Sequence, residues 1–303
     1  MSTEKIIVGD DRSGIRIDRY LSEIDGMPSR SYLQKLVRNG EVTVNGQKIK
    51  ANYQVLSGDE IDLTIPEPVE LTAQPEDIPL DILYEDSDII VINKPKGMVV
   101  HPGAGHASGT LVNGLLYHCK GDLSGINGVL RPGIVHRIDM NTTGVLVVCK
   151  TDTAHQFIAE QLKVHSITRR YEAIVHGIVK NDGTIEGAIG RKPNDRIKMA
   201  IVSKGGKPAV THYHVIEQLK GYSHISCELE TGRTHQIRVH MSSLNHPILG
   251  DNLYGPTKCP FVLEGQTLHA RVLGFIHPST REYMEFEAPL PAYFSELLEK
   301  LRS

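Results

Sequence analysis

The chain has 303 residues, 40% hydrophobic and 23% charged, and its 33 basic against 36 acidic side chains give a formal net charge of −3. This is an ordinary globular composition, long enough for one large domain and one small one, with no overall basic field; any nucleic-acid binding must come from local clustering. Cys119, Cys149, Cys227 and Cys259 lie far apart without a Cys-x-x-Cys pair, the Met-Ser-Thr-Glu-Lys start has no signal-peptide core, and no apolar run nears the ~20 residues of a membrane span, so zinc knuckle, disulfide framework, secretion and membrane insertion are set aside for a reduced, cytoplasmic protein.

Residues 13–65 read as a compact small α/β unit. Ile15, Ile17, Tyr20, Leu21 and Ile24 suggest a short first helix. Pro28-Ser29 opens a second, Arg30 to Arg38, with Ser29 as N-cap and Gly40 beyond its end. Asn45-Gly46 is a strong hairpin signal, and Gly58-Asp59 leads into an alternating strand, Ile61 to Ile65. Between Met27 and Ser57 the basic residues are Arg30, Lys35, Arg38, Lys48 and Lys50, against one acid, Glu41. A basic helix face beside a basic hairpin suits a phosphate backbone. Residues 66–79, proline-rich and acidic, read as an extended, semi-stiff linker.

From residue 80 to 303 the pattern is mixed. Ile89–Ile92 reads as a buried strand and Met98–His101 as its return. Residues 108–118 and Thr151–Val164 read as helices. Strands are expected at Tyr171–Val175, Ala209–Val215, His224–Glu230, Leu268–Ile276 and Met284–Glu287, with helices at Thr234–Leu244 and Phe294–Leu301. The class is therefore α+β with a largely antiparallel sheet. Gly121 to Gly133 is glycine-rich but lacks the Gly-Lys-Ser/Thr of a phosphate loop, and reads as a surface loop. Clustered metal ligands are not evident, and no metal is expected.

One stretch organises the rest: His136-Arg137-Ile138-Asp139, then Thr142-Thr143-Gly144 and the apolar run Val145–Cys149. A carboxylate between apolar segments must be partnered or used, because an unpaired buried charge is costly. Arg137, two residues away, would share its side if the segment is extended. These residues resemble the signature of the RluA/RluD family of pseudouridine synthases, His-Arg-Leu-Asp-x-x-Thr-Ser-Gly, with Ile138 for Leu and Thr143 for Ser. Arg170–Gly177 resembles the family's second motif and Leu229–His240 its third. The helix, Asn-Gly hairpin and closing strand of the small unit resemble an RNA-binding domain of the S4 type.

The resemblance implies isomerisation of uridine to pseudouridine within RNA, without cofactor or metal, on one long bent mixed sheet with the cleft across its middle. It implies Asp139 as nucleophile at ribose C1′ or as base on the sugar, two routes the residues leave open. It implies the third-motif arginine paired with that carboxylate: Arg238, or less favourably Arg233, whose place near a helix N-terminus suits an anion contact instead. Arg137 is expected to enter the stack vacated by a flipped base, with His136 beside it, and Tyr171 to stack on the uracil and assist loss of the C5 proton. Leu229 and Ile237 are candidate apolar walls, and the basic residues Arg191, Lys192, Arg196, Lys198, Lys204 and Lys207 are candidate phosphate contacts. The small unit's Arg30, Lys35, Arg38 and Lys48 are expected to hold structured RNA, large-subunit ribosomal RNA foremost and transfer RNA as the other target class. A monomer is expected. The rival classes are a catalytically inactive ribosome-assembly factor, which the presence of Asp139, Tyr171 and Arg238 disfavours, and a base-excising hydrolase, disfavoured because the motif offers no second acid.

Overall fold

The computed structural model describes residues 2–303 apart from 25–26, 28–29, 51, 66–72, 104, 121, 127–130, 194 and 196. The chain falls into two compact units, Met1–Glu70 and Leu71–Ser303.

In the smaller unit, β1 (Ser2–Ile7), β2 (Val42–Val44), β3 (Gln47–Lys48) and β4 (Glu60–Ile65) form a sheet of order β1-β4-β2-β3 with all pairs antiparallel. α1 (Ile17–Ser22) and α2 (Arg30–Asn39) pack Ile17, Leu21, Leu33 and Leu36 against Val42, Ile61 and Leu63 of that sheet. Asn45 and Gly46 both take positive φ, 50° and 74°, as the tight hairpin requires. β1 was not anticipated. Its apolar content is confined to Ile6 and Ile7, and its place at the sheet edge asks for little burial. The expected N-cap Ser29 lies outside the described residues.

Ahead of the larger sheet, the second half of the expected linker lies along the larger unit rather than free of it. The Glu76 N–H donates to Asn113 O, its carboxylate accepts from the Gly109 N–H, and Asn113 Nδ2 donates to Gln74 O.

The larger unit contains β5 (Ile82–Glu85), β6 (Ile89–Lys94), α3 (Leu111–His118), β7 (Thr143–Cys149), α4 (Asp152–Lys163), β8 (Thr168–His176), β9 (Gly183–Glu186), β10 (Ile189–Arg191), β11 (Met199–Ile201), β12 (Val210–Leu219), β13 (Tyr222–Leu229), α5 (Gln236–Ser243), β14 (Leu268–Ile276), β15 (Tyr283–Glu287) and α6 (Ala292–Arg302). The main sheet runs β5-β6-β7-β14-β8-β13-β12-β9, while β10 and β11 form a separate hairpin. Neighbours are antiparallel except β7 and β14, which are parallel. β14 is forked: His269 and Ala270 pair with β7, while Val272–Ile276 pair with β15.

Strand alternation explains the layering. On β6 and β7, Ile89, Val91, Val145 and Val147 face α4, while Ile90, Ile92, Leu146 and Val148 face α3. On the other half of the sheet, Ala173, Val175, Ile225 and Cys227 face α5, whereas Ile174 and Leu219 face α6. Helices therefore cover both faces, so β7 is buried along its whole length. Two caps set helix starts. Thr151 Oγ1 accepts the Ala154 N–H, and Thr110 with Asn113 forms a reciprocal capping box on α3.

The expected return strand at Met98–His101 is absent; the chain turns there, and its Met98 carbonyl serves another purpose described below. Gly133 is not a surface position. It sits at φ +71°, and a Cβ there would lie 2.7 Å from Cys149 O, so it packs against the edge of β7. No helix among the described residues is long and apolar enough to cross a membrane.

Candidate active site

Asp139 sits in the segment that leads into β7, at the point where β7 meets β14 in parallel. Three features fix this segment. Ile138 is buried in the core beside α3, and the Thr142 N–H closes a turn on Asp139 O at 3.0 Å. Gly144, at φ +108°, lets β7 approach β14 so closely that a Cβ would stand 2.1 Å from Ala270 O. The turn closes at Thr142, and Thr143 and Gly144 already belong to the strand. Residues 136–139 belong to no named strand. Arg137 is exposed and lines the cavity beside Asp139.

Lys94, at the end of β6, is wholly buried, and its Nζ donates to the carbonyls of Pro95 at 2.8 Å, Met98 at 2.9 Å and Met140 at 3.0 Å. Burial lowers its pKa to about 7, opposed by the charge of Asp139. The three carbonyl dipoles favour the ammonium form further. Lys94 thereby ties the turn at 95–98 to the backbone immediately after Asp139.

The Asp139 carboxylate accepts Arg238 Nη1 at 2.8 Å through Oδ2. Arg238 also donates to Asp251, through Nε at 2.7 Å and Nη2 at 3.0 Å. Asp251 is buried and accepts the N–H groups of Leu253 and Tyr254 besides. Burial opposes the guanidinium's charge, but the bonds and charge of Asp251, joined by Asp139, raise its pKa above the ordinary value. Of the two candidate arginines, Arg238 meets the acid. Arg233 instead donates Nε to the Pro208 carbonyl at 2.9 Å and lines the cavity.

A cavity of ≈ 340 Å³ opens over this pair, walled by Tyr171, Leu229, Ile237 and Leu268, with Arg137, Arg169 and Arg233 among its cations. Tyr171 is on β8; burial raises its pKa, Arg169 opposing and Asp139 adding, so the phenol keeps its proton. A second cavity of ≈ 370 Å³ shares Arg137, Asp139, His235 and Arg238 but is lined by the polar His101, His106, Asn141, Asn252 and Gln266. His136 differs from expectation. Its Nε2 accepts the Val147 N–H at 3.1 Å, and burial, with Arg169's charge, pushes its pKa down to about 3. It is a neutral anchor on β7 that also lines the cavity.

Besides Lys94, four residues escaped the sequence reading. Asp251 and Tyr254 belong to Gly-Asp-Asn-Leu-Tyr-Gly, and the signal was available: one carboxylate is too little for a buried arginine. His235 takes the left-handed region at φ 57° just before α5, with Nε2 3.8 Å from Asp139 Oδ1. Arg169 is buried, donates Nη2 to Glu230 O at 2.8 Å and lies against Gly232, where a Cβ would meet its Nη1 at 2.7 Å.

In the smaller unit, Arg30 Nε donates to the buried Asp18 at 2.9 Å, beside Arg16 and Gln34. Burial would raise the Asp18 pKa, but the bonds from Gln34, Arg30 and Arg16 hold it at about 2. Arg30 is thus partly structural. Arg38 and Lys48 are exposed; Lys35 lies on α2 with its side chain outside the described ones. Of the basic residues in 191–207, Arg191, Lys192, Lys204 and Lys207 are exposed, Lys198 is half-buried, and Arg196 lies outside the described residues. Away from the cavity, Asp86, Asp88 and His277 lie within 4.8 Å of one another. Asp86 is already engaged by the N–H groups of Asp88 and Ile89, the Tyr84 hydroxyl and His277, as a structural corner would be.

Residues 88–243 match the family model described as RNA pseudouridylate synthase, and residues 15–61 match the S4 domain. The chain belongs to the RNA pseudouridylate synthase family. It is 52% identical to a Bacillus subtilis (strain 168) protein described as an uncharacterized RNA pseudouridine synthase, YlyB, over 100% of this chain and 99% of that one. It is 48% identical to the ribosomal large subunit pseudouridine synthase D of Zymomonas mobilis, over 96% of this chain and 95% of the relative. Among solved structures, human RNA pseudouridylate synthase domain containing 1 superposes with a TM-score of 0.57 at 27% identity, covering 78% of this chain and 98% of that one. This synthase is therefore an RNA-modifying isomerase with an S4 domain ahead of its catalytic fold.

Proposed function

We propose that the synthase isomerises selected uridines of large-subunit ribosomal RNA in the cytoplasm, as a monomer, with Asp139 as the reacting group. Residues 13–65 would hold structured RNA through Arg30, Lys35, Arg38 and Lys48, residues 66–79 would link, and residues 80–303 would catalyse. Transfer RNA is the alternative target class. The name carried by the Zymomonas relative supports the ribosomal choice. The observation that carries the mechanism is the Asp139–Arg238 pair at the mouth of a cavity with one aromatic and three aliphatic walls.

In the isomerisation the C1′–N1 bond breaks, uracil turns, a C1′–C5 bond forms, N1 gains a proton and C5 loses one. No cofactor or metal is needed for that balance. Asp139 serves either by attacking C1′ or by removing a sugar proton. The target must leave its stack first, at a cost of a few kcal/mol. Arg137, exposed beside the acid, fills the vacated place with its flat guanidinium. Tyr171 stacks on the extruded uracil, Arg238 holds the carboxylate, and Leu229 and Ile237 exclude water. Arg233, already occupied by Pro208 O, borders the RNA path. His136 supports the segment from behind.

The test is direct. Wild-type protein incubated with ribosomal RNA yields pseudouridine, not free uracil. Asp139→Asn keeps the fold and RNA binding but makes none. Pseudouridine from that variant would remove Asp139 from the mechanism.

A further inference from the structure

Two oxygens of Asp139 have different surroundings. Oδ2 is held by Arg238, whereas Oδ1 faces His235 Nε2 at 3.8 Å, just beyond a hydrogen bond. A terminal carboxylate torsion is broad and roughly two-fold, so a single donor on one oxygen leaves its plane loosely set. The other imidazole nitrogen, Nδ1, lies 2.8 Å from the Tyr254 hydroxyl. That hydroxyl already accepts the Met199 N–H at 2.8 Å. Its own proton has no other acceptor among the described contacts, so it points to Nδ1. The neutral imidazole is then protonated at Nε2, the nitrogen turned toward Asp139. The opposite tautomer would set a lone pair against a carboxylate. His235 reaches this place only by adopting φ 57°, a region few side chains other than Asn, Asp and His enter.

We propose that His235 is a positioning residue of the synthase, its tautomer set by Tyr254 and the Met199 amide, which presents an N–H to Asp139 Oδ1 and fixes the carboxylate plane as the cleft closes on RNA. This rests on the reading of Asp139 as the reacting group. The 3.8 Å gap fits it, because such bonds are often long without substrate and tighten in the complex. The hydroxyl on Nδ1 has a second effect: it occupies the position where a proton would otherwise bind. An imidazolium beside Asp139 would pair with the acid and withdraw it. The groups facing His235 are Asp139 and Asp251, which favour the proton, Arg238 and Arg137, which oppose it, and Tyr254. Burial also opposes it.

The experiment measures single-turnover release of tritium from a large-subunit ribosomal RNA transcript labelled at uridine C5, from pH 5 to 8. The variants are Tyr254→Phe, His235→Asn and His235→Gln. Asparagine tolerates the left-handed backbone but is too short to reach Oδ1, while the glutamine amide reaches it. Losing a hydrogen bond to a charged group corresponds to about 10- to 100-fold in rate. His235→Asn is expected to lose that much with RNA affinity within about two-fold, and His235→Gln to recover part of it. Tyr254→Phe is expected to move the acid limb to higher pH than in the wild type, because the hydrogen bond that favours the neutral imidazole is gone. Equal losses in both His235 variants, or a Tyr254→Phe rate reduced by the same factor at every pH, would mark the pair as merely structural and overturn the proposal. Asp139→Asn, run alongside, separates the two claims. If it is inactive while the other variants behave as wild type, only the role of His235 fails; if it is active, the reading of Asp139 fails.

Discussion

Replacing Asp251 by asparagine should unfold the larger unit far more readily, although residue 251 is not the reacting acid. Arg238 is buried between two carboxylates, with two of its three bonds going to Asp251. Asparagine keeps an oxygen for the Leu253 and Tyr254 N–H groups but turns an N–H₂ toward Arg238 Nε, where a 2.7 Å acceptor had been. Two donors then face each other and one buried charge goes uncompensated. Breaking a buried pair from one side costs about 3–5 kcal/mol. For a domain of this size each kcal/mol moves the midpoint by about 2–4 °C, so the expected fall is about 6–20 °C. The chain has no tryptophan, so calorimetry is the suitable probe, following the transition of the larger unit. The remaining Arg238 charge would fall on Asp139 alone, and turnover should drop with it. A transition displaced by less than about 1 °C would refute the claim that Asp251 is the guanidinium's principal counter-ion.

Three other outcomes follow. Gly144→Ala should be recovered largely insoluble, since its Cβ would stand 2.1 Å from the Ala270 carbonyl on a backbone at φ +108°; soluble, active protein would contradict the close approach of β7 and β14. Arg137→Ala should slow turnover more than it weakens RNA binding, as gel-shift titration beside single-turnover rates would show; equal losses would make Arg137 a phosphate contact. Stability should rise with pH from about 3 to 6.5, because burial holds His136 at about 3 and His101 at about 4, so the unfolded chain binds protons there that the folded chain does not. Urea midpoints should show this rise, and His136→Gln should flatten it; an unchanged slope would remove His136 as a cause.

Much of the fold was legible because its elements are locally consistent. The apolar run Ile89–Ile92, the threonine before α4 and the Asn-Gly turn each announce themselves within a few residues. β1, β9, β10 and β11 were missed because they are short or peripheral, and β5 because only its partner β6 carries an unbroken apolar run. In the site, the motifs led to Asp139, Tyr171 and Arg238, which do line one cavity. The missing members act through long-range geometry. Asp251 meets Arg238 across a loop, Lys94 meets Met140 across 46 positions, and Tyr254 meets Met199 across 55. No periodicity encodes such meetings. His136 misled for the opposite reason: its neighbours in sequence are motif residues, but its partner is the backbone of β7.

Lys94 alters the electrical balance beneath the substrate. With its ammonium, the hydrogen-bonded groups around Asp139 comprise two cations, Lys94 and Arg238, and two anions, Asp139 and Asp251. At rest these cancel. On the proposed reading of Asp139 as the reacting group, its passage to an ester or a neutral acid leaves a net positive charge under a polyanion. The grip on the RNA backbone would therefore be strongest midway through turnover, when a half-rearranged nucleotide is most costly to release, and would relax when the carboxylate is restored.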